Sequence, residues 1–182
     1  MKLILKYKSF LKESMANNYP LGCVMVDFLF SNWDELLNSI DNDDVYISNV
    51  RPSGKQKRPH LTLLFGLKPE VTPEEVLKCF DGFQINDFKV EVKGVSIFEN
   101  AEFDVVKLGI VKNDKLLEIH NKLSTLPNED SFPNYIPHIT LAYLKSGRGK
   151  KYINPDYSYQ IKGIDKICYT SPNKPDFEIN LK

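Results

Sequence analysis

One short pattern is written twice in this chain and constrains it more than any other feature. Pro59-His60-Leu61-Thr62-Leu63 is matched by Pro137-His138-Ile139-Thr140-Leu141. Only three histidines occur in the 182 residues, and two of them sit inside the repeat. In an extended strand, residues i and i+2 point to one face and i+1 to the other. Each copy therefore presents an imidazole and a hydroxyl side by side, while Leu61 and Ile139 turn into a core. The two histidines lie 78 residues apart in sequence, too long for a solenoid period and suited to a duplicated half-domain.

Two such strands brought together surround a phosphate with two imidazoles and two hydroxyls. An imidazole titrates near about 6.5, so one can stand neutral and the other protonated at neutral pH. That supplies a general base and a general acid on opposite sides of one phosphorus. The threonine hydroxyls supply donors for the non-bridging oxygens. Either histidine can take either role on this evidence. No carboxylate or cysteine cluster with metal-ligand spacing accompanies them, so no metal and no cofactor is expected. Asp41, Asp43 and Asp44 lack the spacing, the glycine and the terminal glutamate of an EF-hand loop.

Composition narrows the class. A hydrophobic fraction of 42% and a charged fraction of 26% are those of an ordinary globular protein. Lys+Arg and Asp+Glu balance at 24 each, which disfavours a coat for long nucleic acid. The three cysteines, Cys23, Cys79 and Cys168, are scattered and odd in number, which suits a reducing compartment. The apolar run Leu3-Ile4-Leu5 is too short for a signal peptide or a membrane span. A cytoplasmic protein without a membrane partner is expected.

The periodicities predict a helix over 7–16, a buried strand over 21–30, and a helix from a Ser31–Asp34 capping box to about residue 40. A short strand at 45–47 and a basic loop at 51–58 precede the first motif strand, 60–66. Thr72-Pro73-Glu74-Glu75 opens a helix that ends near Phe80. Strands at 86–98 and 102–111 follow, then a helix from Asn113 or Asp114 to about Leu126. After the second motif strand, 138–144, comes a basic loop through 151. The tail reads as a hairpin of strands 158–170 and 176–181. Phe98 is assigned to the core with the other phenylalanines, and His120 to a satisfied position among leucines on its helix.

The paired motifs resemble the signature of the 2H phosphoesterase superfamily, which includes 2′,5′ RNA ligase-like proteins and cyclic phosphodiesterases. The run from Pro59 to Gly66, with Pro137 to Lys151 (PHITLAYLKSGRGKK), looks closest to the phage anti-CBASS nucleases, which degrade cyclic oligonucleotide messengers of a bacterial defence system. The resemblance implies an α+β, LigT-like fold: two lobes related by a pseudo-two-fold axis, with duplicated sheets around a central cleft. It makes residues 1–182 a single domain with an N-terminal helix and a C-terminal β-hairpin. It carries catalytic roles onto His60, Thr62, His138 and Thr140, without a metal. It implies a metal-independent phosphodiesterase acting on the 3′–5′ bonds of cyclic di- or trinucleotides, in the host cytoplasm if the chain is phage-encoded. Where RNA ligase-like members carry an arginine after the second motif, this chain has Tyr143 and Leu144.

Candidates for holding the substrate are Tyr19, Tyr143 and Phe177 by base stacking, and Lys145 and Arg148 by phosphate contact. Phe177, on the hairpin, is placed to reach a neighbouring protomer of a homo-oligomer. Two other functions compete. An enzyme of RNA ends, acting on 2′,3′-cyclic phosphates or 2′–5′ linkages, would share the four motif residues but expects a wider basic surface. A nucleotide-binding sponge would have no need of both histidines.

Overall fold

The computed structural model describes residues 21–49, 53–129, 134–161, 163–172 and 176–181. The helix expected over 7–16 and the candidate Tyr19 lie outside them. Among the described residues, eight strands and three short α-helices follow in chain order: β1 (Gly22–Leu29), α1 (Trp33–Asn38), β2 (His60–Leu67), α2 (Pro73–Cys79), β3 (Glu91–Glu99), β4 (Phe103–Ile110), α3 (Asp114–Ser124), β5 (His138–Lys145), β6 (Asn154–Gln160), β7 (Gly163–Thr170) and β8 (Phe177–Ile179). All strands join one antiparallel sheet in the order β6-β3-β4-β5-β2-β1-β7-β8. This is the expected α+β architecture.

The order contains its own duplication. β2, β1 and β7 repeat the arrangement of β5, β4 and β3, and the two motif strands stand at the centre. They meet in a single pair, Leu61 opposite Ile139. The sheet is therefore continuous, with the two expected lobes as its halves. Beyond that pair the strands diverge. The gap beside β5 is filled by residues 45–46 and 54–56, through bridges Val45–Leu144 and Lys55–Ala142. The gap beside β2 is filled from the other side by the Leu67–Asn128 bridge.

Each motif strand also carries a bulge at the same place. Val24 pairs with Leu64 and Met25 with Thr62, so Leu63 is an extra residue on β2. Val106 pairs with Ala142 and Lys107 with Thr140, so Leu141 is an extra residue on β5. A bulge reverses the alternation of faces beyond it. That reversal is why Tyr143, an odd number of residues after His138, packs on the histidine side of the sheet.

The helices cover the other face. Leu116, Ile119 and Leu123 of α3 are fully buried against the sheet, as are Val76 of α2 and Leu61 and Ile139 of the motif strands. Each such side chain stabilises the fold by about 1.5–3 kcal/mol. Asn113 caps α3 by accepting the Leu116 N–H at 2.8 Å. Thr72 and Glu75 form the expected reciprocal capping box on α2.

Several sequence expectations are corrected. Ser31 does not cap α1: Asn32 is its N-cap residue and makes no side-chain cap bond, while Ser31 Oγ pairs with the Tyr159 hydroxyl at the surface at 2.7 Å. Residues 85–88 form a 3₁₀ turn rather than the start of β3. The single strand expected over 158–170 is two strands, β6 and β7, at opposite sides of the sheet. Residues 149–152 of the second basic loop form a 3₁₀ turn, with Lys151 bound to the buried Asp44 at 2.6 Å.

Candidate active site

The two motifs come together about the seam of the sheet. In an antiparallel ladder, neighbours of a pair run in opposite directions. With Leu61 level with Ile139, His60 falls level with Thr140 and Thr62 with His138. Each imidazole thus stands beside the hydroxyl of the other copy. Leu61 and Ile139 are fully buried on the helix side, so all four polar side chains occupy the opposite face.

The proline before each histidine has a structural part. It brings no N–H to the crowded seam, and its carbonyl ties the motif to the neighbouring strand. Pro59 O accepts the Phe28 N–H at 2.9 Å, and Pro137 O accepts the Ile110 N–H at 3.2 Å. The imidazoles are oriented alike. His60 Nδ1–H donates to the Arg58 carbonyl at 3.2 Å, and His138 Nδ1–H to the Ile136 carbonyl at 2.8 Å. A carbonyl only accepts, so Nδ1 carries the proton, and the neutral ring holds its lone pair on Nε2.

Burial pushes both imidazoles below the ordinary histidine pKa, His138 to about 4. Their charged neighbours differ. Asp27, across β1 from His60, favours the imidazolium there, while Arg58, which holds that carboxylate at 3.1 Å, works against it. Lys107, across β4 from Thr140, disfavours it at His138. The second half also carries aromatic rings on this face. Phe98 stands edge-on to His138, with centroids 5.2 Å apart, and Tyr143, Phe103 and Tyr46 pack behind it. Sequence reasoning passed over Lys107 and Asp27 and put Phe98 in the main core. The available signal was a lysine in the middle of the apolar strand FDVVKLGI.

The other sequence candidates fall elsewhere. Tyr143 is buried, its ring edge-on to Phe103 at 5.6 Å, so it forms floor rather than a stacking face. Lys145 ends β5, roughly 20 Å along the strand from His138, and donates to the Asp43 carbonyl at 2.7 Å. Arg148 lies 3.9 Å from Asp44 in the same corner. Both anchor the 41–44 turn and are not brought to the histidines. Phe177 pairs with Tyr169 on β8 and packs against the helix-side core, on the wrong face. His120 is structural, as expected. Its Nδ1–H donates to the Leu63 carbonyl at 2.8 Å and its ring stacks on Tyr135 at 4.1 Å. Among the described residues, no group of three or more His, Cys, Asp or Glu could hold a metal ion. No helix among them is long and apolar enough to cross a membrane.

Residues 34–158 match the family model of the 2′-5′ RNA ligase superfamily, so the chain belongs to that superfamily, the two-histidine phosphoesterases. Usb1 of Kluyveromyces marxianus shares the fold with a TM-score of 0.55 at 8% identity, over 89% of this chain and 98% of that one. E. coli LigT complexed with 3′-AMP shares it with a TM-score of 0.50 at 18% identity, over 90% and 96%. No curated protein matches the sequence. Family and fold together make this a phosphoesterase.

Proposed function

We propose that the chain is a metal-independent phosphodiesterase that cleaves 3′–5′ bonds of cyclic di- and trinucleotides, working as a single two-halved domain in phage counter-defence. The observation that carries the chemistry is the matched pair of imidazoles. Each has its Nδ1–H committed to a carbonyl two residues back, and they stand diagonally across one backbone pair, near enough for the charge of His60 to act on His138. The different neighbours then divide the labour. His138, beside Lys107, stays neutral and takes the proton of the attacking 2′-hydroxyl on Nε2. His60, beside Asp27, holds a proton on Nε2 and gives it to the departing 5′ oxygen. Thr62 and Thr140 donate to the non-bridging oxygens. The product is a 2′,3′-cyclic phosphate. Water then opens it with roles exchanged: His60 takes the water proton and His138 returns its own to the 2′ oxygen, restoring the starting state.

The LigT structure holding 3′-AMP supports this reading, since a 3′-phosphate is what such a reaction leaves when the 2′ oxygen departs. The choice of a cyclic substrate rests on the run from Pro137 to Lys151 and on the balanced net charge. A second reading, an enzyme of RNA ends, is favoured by the superfamily match itself. One panel separates them. Cyclic di- and trinucleotides, RNA with 2′,3′-cyclic ends and 2′–5′ linked RNA are incubated in EDTA, and products are read by mass. Cleavage of the cyclic nucleotides is expected. Cleavage of RNA ends alone selects the second reading, and binding without any cleavage leaves a sponge.

A further inference from the structure

Lys107 follows and precedes apolar residues in the middle of β4. Val105, Val106 and Leu108 around it are fully buried, and Lys107 itself is 7% exposed. It lies on the histidine face, paired with Thr140 on β5 and with Ser96 on β3. Its ammonium donates to Ser96 Oγ at 2.8 Å and sits 4.3 Å from the centre of the Phe98 ring, the same ring that meets His138. No carboxylate among the described residues pairs with it. A buried ammonium ordinarily keeps a counter-ion, because losing hydration without one is expensive. A hydroxyl and an aromatic face attract the cation but bring no negative charge. Duplication sharpens the contrast. The first half has Met25 at the matching position, opposite Thr62.

We infer that Lys107 is the charge-binding residue of this site, its ammonium pairing with an oxygen of the substrate's anionic phosphate. The inference rests on the phosphodiester reading above and deepens it. Arg58, on the first side, is exposed and tied to Asp27, so a buried cation without a carboxylate stands on one side of an otherwise two-fold site and lets a phosphate bind in one orientation. The same charge acts on His138. The charged or titratable groups facing that imidazole are Lys107 from β4 and His60 from β2, and both favour its neutral form; Phe98 from β3 is uncharged.

The test uses inorganic phosphate and 3′-AMP as probes, titrated calorimetrically into the wild-type chain and into Lys107→Met, Lys107→Gln and Lys107→Arg. Lys78→Met, remote on α2, is the charge control. Lys107→Met is expected to weaken both probes by at least ~10-fold, Lys107→Arg to restore most of the loss, and Lys78→Met to change nothing. Lys107→Met should also raise the His138 pKa read by NMR and keep or raise Tm, since a buried unpaired charge has been removed. Lys107→Gln replaces Lys107→Met if the latter does not fold. Unchanged probe affinity in a folded Met or Gln variant overturns the inference. Failure of the functional reading looks different: His60→Ala and His138→Ala would turn over normally, whatever Lys107 does to binding.

Discussion

The imidazole of His120 donates to the carbonyl oxygen of Leu63 at 2.8 Å, and Leu63 is the extra residue of the bulge in the first motif strand. A bulge turns a carbonyl out of its ladder, and a buried carbonyl without a partner is destabilising. In the second half the matching carbonyl, on Leu141, accepts the Gln56 backbone N–H at 2.8 Å. One half thus uses a side chain where the other uses main chain.

His120→Ala should therefore act on stability. The loss of the bond and of the stack on Tyr135 is expected to lower unfolding free energy by about 1–3 kcal/mol in urea titration. Turnover in the folded variant should stay within ~10-fold of wild type. A loss of ~10²-fold or more with stability unchanged would move His120 into the reaction.

His60→Ala and His138→Ala should each lower kcat by at least ~10²-fold, with unfolding midpoints close to wild type. The double variant should be little slower than either single one, because acid and base act as a unit. Excess EDTA should leave wild-type cleavage intact, since every proposed group is a side chain. Activity lost to chelator and regained with a divalent ion would refute the mechanism.

The pH profile follows from burial at both rings. The base works when neutral, so the acid limb of kcat/KM should fall near the His138 value of about 4. The acid works when protonated, so the alkaline limb should fall below the ordinary histidine range. A bell centred on the mildly acidic side is expected in kcat/KM, and a bound phosphate, being anionic, should move the kcat bell upward. Stability runs the same linkage. The unfolded chain binds more protons at these two sites, so unfolding free energy should drop as pH falls from about 6.5 towards 4. A kcat/KM that climbs steadily to pH 9 would mean another base.

Gly66 sits at a second irregularity of β2 with φ of +105°, and a Cβ there would lie 2.7 Å from the Glu129 carbonyl oxygen. Gly66→Ala should destabilise the chain by about 1–3 kcal/mol, and thermal unfolding reads it. A Tm equal to wild type would show that the 127–129 segment yields freely.

The legible parts of this molecule are local ones. The two motif strands, the Thr72 and Asn113 caps and the apolar β1 are each written within a few neighbouring residues. The four motif side chains fall together because their alternation is intrinsic to a strand. What stayed hidden depends on partners distant in sequence. Residues 158–170 read as one strand because nothing in that stretch says that Gln160 belongs beside Glu91 and Gly163 beside Leu29. Tyr143 looked accessible because it stands near the end of its strand, and nothing beside it in sequence says that Phe103 and Tyr46 pack over it. Lys145 and Arg148 looked like phosphate ligands, since a basic loop does not reveal that Asp43 and Asp44 wait for it.

The chain enters the second half at Val90 and leaves it at Ile161, and those two residues are hydrogen-bonded, Ile161 N–H to Val90 O at 3.0 Å. Residues 91–160 are thus a cassette with both ends at one stem, set into a first half that resumes with β7. His138, Lys107, Phe98 and Tyr143 all ride on that cassette, while His60 and Asp27 stay with the frame. Neither part holds both motif histidines, so the proposed reaction belongs to their junction. On the proposed reading, exchange of the cassette carries base, cation and aromatic floor together, and the choice of substrate with them.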